Sequence, residues 1–370
     1  MATLYFHIPF CKRICTYCDF YKVGAIGLIP QVVEVMHREL EERAEYLHER
    51  ELTSIYFGGG TPSLLPPKSI EELISHARIL FDCSKIKEIT LEANPDDLSA
   101  EYISQLQETS INRISLGIQS FDDRVLQFMN RRHTAAEAHE CVERLRRAGY
   151  NNISIDIIFG VAGFGNEWLH NTLQEAINLG AEHISAYHLT VEERTRLGVM
   201  VRNGKYQPVS EEQSESDYHL VESMLCEAGY EHYEVSNYAK PGYRAKHNSA
   251  YWRGVEYLGI GAGAHSFSGD DRRWCISTAK EYSEGAILFE SERLTTTDHL
   301  NEYIMTSLRT KEGMDLNYIS TKYGEAERNR IIEQATSWQQ RGVATISNNR
   351  IFIPSSEFML SDAVIESLFF

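Results

Sequence analysis

Three of the chain's seven cysteines fall in the stretch Cys11-Lys-Arg-Ile-Cys15-Thr-Tyr-Cys18, and no fourth follows nearby. Spacings of four and three let these thiolates wrap one metal centre from a single loop. A structural zinc usually takes four Cys or His ligands, and a fully ligated iron–sulfur cluster commonly takes four cysteines. Three thiolates therefore suit a cluster that leaves one iron open to another ligand, with zinc as the alternative that the spacing leaves standing. Cys83, Cys141, Cys226 and Cys275 are scattered, and the odd total argues for reduced thiols rather than a disulfide framework.

Other residues with chemistry to offer stand at the ends of apolar runs. Gly58-Gly59-Gly60-Thr61-Pro62 lacks the Cβ atoms that would keep a ligand from the backbone. Glu92 lies in Thr90-Leu-Glu-Ala-Asn-Pro95, where a carboxylate suits ribose hydroxyls or an ammonium. Gln119 closes Ser115-Leu-Gly-Ile-Gln, and Arg131 lies in Met129-Asn-Arg-Arg-His133. Asp156 interrupts Ile153-Ser-Ile-Asp-Ile-Ile-Phe159, a costly place for a charge unless it is paired or faces a polar interior. Singly, each could serve as a cap or an ion pair; together, at successive strand ends, they favour a site.

The elements that must position these groups are legible as alternation. Strand-like runs at 4–8, 54–57, 88–92, 113–118, 154–159 and 183–189 are separated by helical patterns. Ser69 with Glu72, and Thr134 with Glu137, have capping-box spacing. The second of these helices puts Ala138, Cys141, Val142, Leu145 and Ala148 on one face. Parallel strands need helical crossovers, so the pattern predicts an α/β fold built as a partial (β/α)6 barrel, with a doubly wound sheet as the alternative. Alternation weakens after about residue 210 and changes character after Thr295. Helices are expected at 297–309, 315–323 and 326–341, then two short strands around Asn348-Asn349. That predicts a barrel domain over 1–295 and a small winged-helix-like module over 296–370.

Composition narrows the partners. A formal charge of -17 opposes binding to a phosphate backbone, so nucleic acid is not expected. No secretory leader or long apolar run is present, and a cytoplasmic location is expected.

The CxxxCxYC pattern after a first strand resembles the radical S-adenosylmethionine superfamily. The resemblance implies a 4Fe-4S cluster on Cys11, Cys15 and Cys18, whose open iron chelates the amino and carboxylate groups of S-adenosylmethionine. His7-Ile-Pro-Phe-Cys11, the Gly-Gly-Gly-Thr-Pro loop, Leu116-Gly-Ile-Gln-Ser-Phe121 and Gly261-Ala-Gly-Ala-His-Ser266 are similar to the HemN and HemW branch. That branch holds oxygen-independent coproporphyrinogen III oxidases and haem chaperones, and the likeness covers nearly the whole chain. By motif it assigns S-adenosylmethionine contacts to Tyr5, Tyr17, Gly59, Gly60, Thr61, Glu92, Gln119, Arg131 and Asp156. Gly160-Val-Ala-Gly-Phe-Gly165 departs from the Gly-Leu-Pro-Gly of relatives, which loosens the loop beyond Asp156.

Within the branch the resemblance favours the chaperones. The oxidases carry a further cysteine two positions after the third, where this chain has Phe20, and a substantial extension before the tyrosine that is Tyr5 here. Lys246-His247-Asn248-Ser-Ala-Tyr251-Trp252 resembles the HNxxYW motif linked to haem binding. This implies His247 as iron ligand, with Asn248, Tyr251 and Trp252 around the porphyrin and haem as cargo. Implied partners are haem-acceptor proteins and an electron donor, with transient membrane contact and a homodimer as further expectations. No residue is assigned a catalytic role. The alternative is radical decarboxylation of coproporphyrinogen III to protoporphyrinogen IX.

Overall fold

The computed structural model describes residues 1–370, apart from the side chain of residue 166. Six parallel strands lie side by side in chain order: β1 (Ala2–Ile8), β2 (Leu52–Gly59), β3 (Glu88–Ala93), β4 (Arg113–Gln119), β5 (Ile153–Phe159) and β6 (His183–His188). Helices connect them, as parallel pairing requires.

Parallel strands buried on both faces usually read as unbroken apolar runs. These alternate instead, and the alternation separates two environments. Leu4, Phe6, Ile55, Phe57, Leu91 and Ile155 share one face and are buried in the core with the connecting helices. Phe6 and Phe57 stack there with centroids 4.8 Å apart. Tyr5, Tyr56, Glu92, Arg113, Asp156 and His183 alternate with them on the other face, giving the barrel a polar interior.

The Thr134 capping box forms as expected: Thr134 accepts from the Glu137 amide at 3.3 Å, and Glu137 accepts from the Thr134 amide at 2.7 Å. The helix Ala135–Arg147 then buries Ala138, Cys141, Val142 and Leu145. The Ser69 cap does not form. Helix Pro67–Leu80 begins two residues earlier, because a proline has no amide to satisfy and a φ already suited to the first turn.

Beyond residue 210 the sheet continues in pieces too short to show a period. β7 (Glu231–Glu234) and β8 (Asn237–Ala239) extend it antiparallel past β6. On the other side β9 (Glu256–Ile260) runs parallel to β1, followed by antiparallel β10 (His265–Ser268), β11 (Asp271–Cys275) and β12 (Phe289–Arg293). Among the described residues these join one 12-stranded sheet.

The last segment carries helices Thr296–Leu308, Leu316–Tyr323 and Glu325–Gln340. β13 (Met314–Asp315), β14 (Thr345–Ser347) and β15 (Arg350–Phe352) form a small antiparallel sheet with β15 in the middle. A final helix, Ser361–Leu368, was not expected from the sequence and buries Val364, Ile365 and Leu368. Among the described residues no helix is long and apolar enough to cross a membrane.

Candidate functional site

The loop after β1 is tied down by the end of the short helix Asp123–Phe128 that follows β4. The Thr16 amide donates to the Met129 carbonyl at 3.2 Å, its hydroxyl to the Phe128 carbonyl at 3.2 Å, and the Asn130 amide group to the Ile14 carbonyl at 2.7 Å. This holds Cys11 buried and Cys15 and Cys18 half-buried, all three as free thiols. Thr61 donates to the Cys11 sulfur at 3.5 Å, and Arg131 Nη1 to the Cys15 sulfur at 3.3 Å. Burial pushes the Cys11 and Cys18 thiols up, and the Lys22 ammonium opposes that shift at both.

Among the described residues no three Cys, His, Asp or Glu side chains converge on the position of a single ion. A mononuclear zinc needs such convergence. A four-iron cluster puts each thiolate on a different iron, so its ligands stand around a body rather than crowd onto a point. Three thiols on one pinned loop, close enough to influence one another's protonation and flanked by Arg131 and Lys22, fit that group.

The next residues follow from strand ends. Tyr56 donates to Glu92 Oε1 at 2.7 Å, and the Gly59 amide to Oε2 at 3.1 Å. A Cβ on Gly58 would stand 2.8 Å from the Tyr56 ring and 2.9 Å from the Tyr5 ring, so the glycine is sterically required. Asn94 donates to Thr61 at 3.3 Å and accepts from Arg131 Nη2 at 2.5 Å, while the same nitrogen reaches the Gly117 carbonyl. Gln119 is buried at φ 68°, at a register shift between β4 and β5, a conformation that non-glycine residues seldom adopt away from special sites. Tyr17 is half-buried, and burial pushes its phenol up, with the Arg131 guanidinium opposing that shift and Cys15 adding to it.

The structure thus gathers Tyr5, Gly59, Gly60, Thr61, Glu92 and Arg131 at one end of the barrel, in hydrogen-bonded continuity with the cysteine loop. Asp156 sits on the same inward face. Tyr56 and Asn94 are the connecting residues that motif matching left unassigned. Tyr56 had a signal: it is two residues before Gly58 on a strand of period two, so it shares that glycine's face.

Burial raises the Glu92 carboxyl to about 7, with the Tyr56 hydrogen bond opposing and Asp156 adding. Burial likewise raises Asp156 to about 6. A carboxyl whose folded value lies above its ordinary 4.5 favours the folded state below that ordinary value and loses this advantage as pH rises through about 7. Relative to Glu92→Gln, the wild type should therefore lose about 2 kcal/mol of stability between about pH 5.5 and about pH 8. Urea denaturation of both proteins across that range checks this. Parallel profiles would show that Glu92 ionises without penalty.

The expected haem residues do not come together as an open ligand set. Helix Lys246–Trp252 enters the lower barrel, where Glu88 accepts from the amides of Lys246 and His247 at 2.9 Å each. His247 is 1% exposed. Its Nδ1 bonds Ser54 at 2.9 Å, its Nε2 bonds Tyr251 at 3.0 Å, and its ring stacks on Tyr56 at 4.9 Å. Burial lowers its pKa to about 3. Asn248 is half-buried and outside the cleft described next. Tyr251 and Trp252 do reach that cleft, a space of about 1200 Å³ between the barrel mouth and the C-terminal helices.

A polar-cored open β/α barrel with three free thiols on its first loop defines a radical S-adenosylmethionine protein, and the family described as the Radical SAM superfamily matches residues 5–176. The chain is 34% identical to the heme chaperone HemW of Lactococcus lactis, over 98% of this chain and 96% of that one. It is 32% identical to the heme chaperone HemW of Bacillus subtilis, over 98% of each. The solved coproporphyrinogen III oxidase HemN of Escherichia coli shares the fold, with a TM-score of 0.84 at 20% identity over 99% of this chain and 89% of that one. The chain belongs to the HemW family of the radical S-adenosylmethionine superfamily. That family implies a 4Fe-4S cluster and S-adenosylmethionine as cofactors.

Proposed function

We propose that this chain binds haem in the cleft at the barrel mouth and hands it to acceptor proteins. The observation that carries the reading is the cleft itself. Its volume of about 1200 Å³ exceeds the ~300–1,000 Å³ usual for small-molecule pockets. Its walls include Tyr5, Tyr251, Trp252, Tyr257, Phe267 and Tyr318, flat surfaces suited to a porphyrin face. Full-length similarity to relatives named as heme chaperones supports it.

Cys11, Cys15 and Cys18 would hold the cluster, and Tyr5, Tyr17, Gly59, Gly60, Thr61, Glu92, Gln119, Arg131 and Asp156 the S-adenosylmethionine. When bound, that pair supplies an electron and a cleavable sulfonium. The chain's own contribution is positional: Arg131 and Lys22 place positive charge beside the thiolates, and Glu92 and Asp156 present carboxylates to a cationic ligand. Tyr5, shared by the cofactor site and the cleft, links the two. In this reading residues 1–295 bear the cofactors and 296–370 close the cleft. An electron donor, a cytoplasmic location, transient membrane contact and a homodimer complete it. Phe20, where the branch's oxidases carry a cysteine, is 70% exposed in the cleft, which weighs against porphyrinogen decarboxylation.

The test is delivery. Haem-loaded, cluster-reconstituted protein is mixed anaerobically with an apo b-type haem protein, and the transfer rate is followed optically. The rate should rise with acceptor concentration and exceed passive loss to a haem scavenger. A rate independent of acceptor would reduce the chain to a haem store.

A further inference from the structure

We infer that Arg253 and Lys322 clamp the carboxylates on one edge of the porphyrin cargo, so that the bound macrocycle bridges the barrel and the C-terminal module. The inference rests on the haem reading above and deepens it.

A haem is apolar on both faces and carries its two carboxylates on one edge, so its site needs cations at the rim of aromatic walls. Among the described residues three lysine or arginine side chains line the cleft: Arg253, Arg272 and Lys322. Arg272 is already engaged, by Glu302 at 2.6 Å and by Glu292 at 3.2 Å. Arg253 and Lys322 have no carboxylate partner among the described residues, in a chain whose Asp and Glu outnumber its Lys and Arg by 53 to 36. The cleft's own carboxylates do not supply one. Glu302 is held by Arg272, Asp270 by His299 at 3.0 Å and Glu256 by His48 at 2.6 Å. Asp19 alone among them stays unpaired, and it stands on the cysteine loop beside Phe20. The unpaired charge of the cleft is therefore divided, negative on the barrel's first loop and positive where the barrel meets the module.

The two cations approach that seam from opposite sides. Arg253 follows the helix Lys246–Trp252, and its amide donates to the Ala250 carbonyl at 3.1 Å. Tyr303 of the helix Thr296–Leu308 stands across from it, since both residues also line a smaller cavity of about 520 Å³. The Tyr303 ring lies 4.4 Å from that of Tyr318, whose hydroxyl accepts from Lys322 Nζ at 2.9 Å. Lys322 Nζ also lies 5.4 Å from the centroids of both Tyr318 and Tyr323. Aromatic rings hold an ammonium in place without neutralising it, and one hydroxyl uses only one of its three donors. A guanidinium fork and an ammonium on two different elements suit two carboxylates on one rigid ring. With that edge at the seam, the opposite, apolar edge of the macrocycle points toward Tyr5 and Phe20 at the barrel mouth.

The experiment compares ferric haem with its dimethyl ester, which keeps the ring and the iron but carries no negative edge. Both are titrated anaerobically, at one fixed detergent concentration, into cluster-reconstituted wild type, Arg253→Gln, Lys322→Gln and the double variant. Each single variant should bind free-acid haem about fivefold more weakly, and the double variant roughly twenty-fivefold. Ester affinity and the absorption spectrum of the bound iron should stay at wild-type values. Raising the salt concentration should weaken free-acid binding to the wild type and leave ester binding unchanged. Equal wild-type affinity for the two compounds, or an equal loss for both in the double variant, would overturn the clamp while leaving the haem reading in place. Absence of saturable binding of either compound by the wild type would overturn both.

Discussion

Cys11→Ala, reconstituted anaerobically with iron and sulfide, is expected to retain no stable four-iron cluster, and Cys15→Ala and Cys18→Ala are expected to behave alike. The loop carries three thiols, Cys83 lies in the loop before β3 and Cys141, Cys226 and Cys275 on other elements, so no neighbour replaces a lost ligand. The loop itself should survive, because its anchors are the Thr16 and Asn130 hydrogen bonds rather than the thiols. Iron and acid-labile sulfide per chain, with the visible charge-transfer absorption, give the readout. A full iron complement in any single variant would show that the cluster sits elsewhere.

Asp156→Ala and Glu92→Ala should each weaken S-adenosylmethionine binding by about 2 to 3 kcal/mol, roughly thirty- to a hundred-and-fiftyfold, with the cluster intact. Both carboxyls are held above their ordinary range by burial in the unliganded protein. A bound cation would reverse part of that shift by favouring the charged form. Affinity should therefore strengthen as pH rises through about 6 to 7, and Glu92→Ala should flatten that rise. Calorimetric titration on reconstituted protein measures both effects. Wild-type affinity in both variants would make the two carboxylates elements of the barrel's polar interior alone.

Much of the site was legible because it is built from local runs. The cysteine spacing, the glycine loop, Glu92 and Gln119 near strand ends and Asp156 in mid-strand are each contained within a few residues, and strands of period two assign their faces directly. The helix from Thr134 was equally plain, since its cap and its apolar stripe agree. Ser69 misled because its spacing to Glu72 is right while Pro67 had already started the helix. β7 to β12 escaped notice because runs of three to five residues carry no period, and β8 and β9, which join the others to the barrel, pair with β6 and β1, distant in sequence.

The sequence by itself determined the family, the six-unit barrel and the three-thiol loop, because each is encoded in short-range spacing. It also singled out the run from His247 to Trp252. What stands across the cleft from that run was decided by tertiary structure alone. Packing of the C-terminal helices against the barrel sets Tyr303, Tyr318 and Lys322 across a seam from Arg253. The meeting of side chains so distant in sequence depends on how the two units dock, and no spacing within either segment records that.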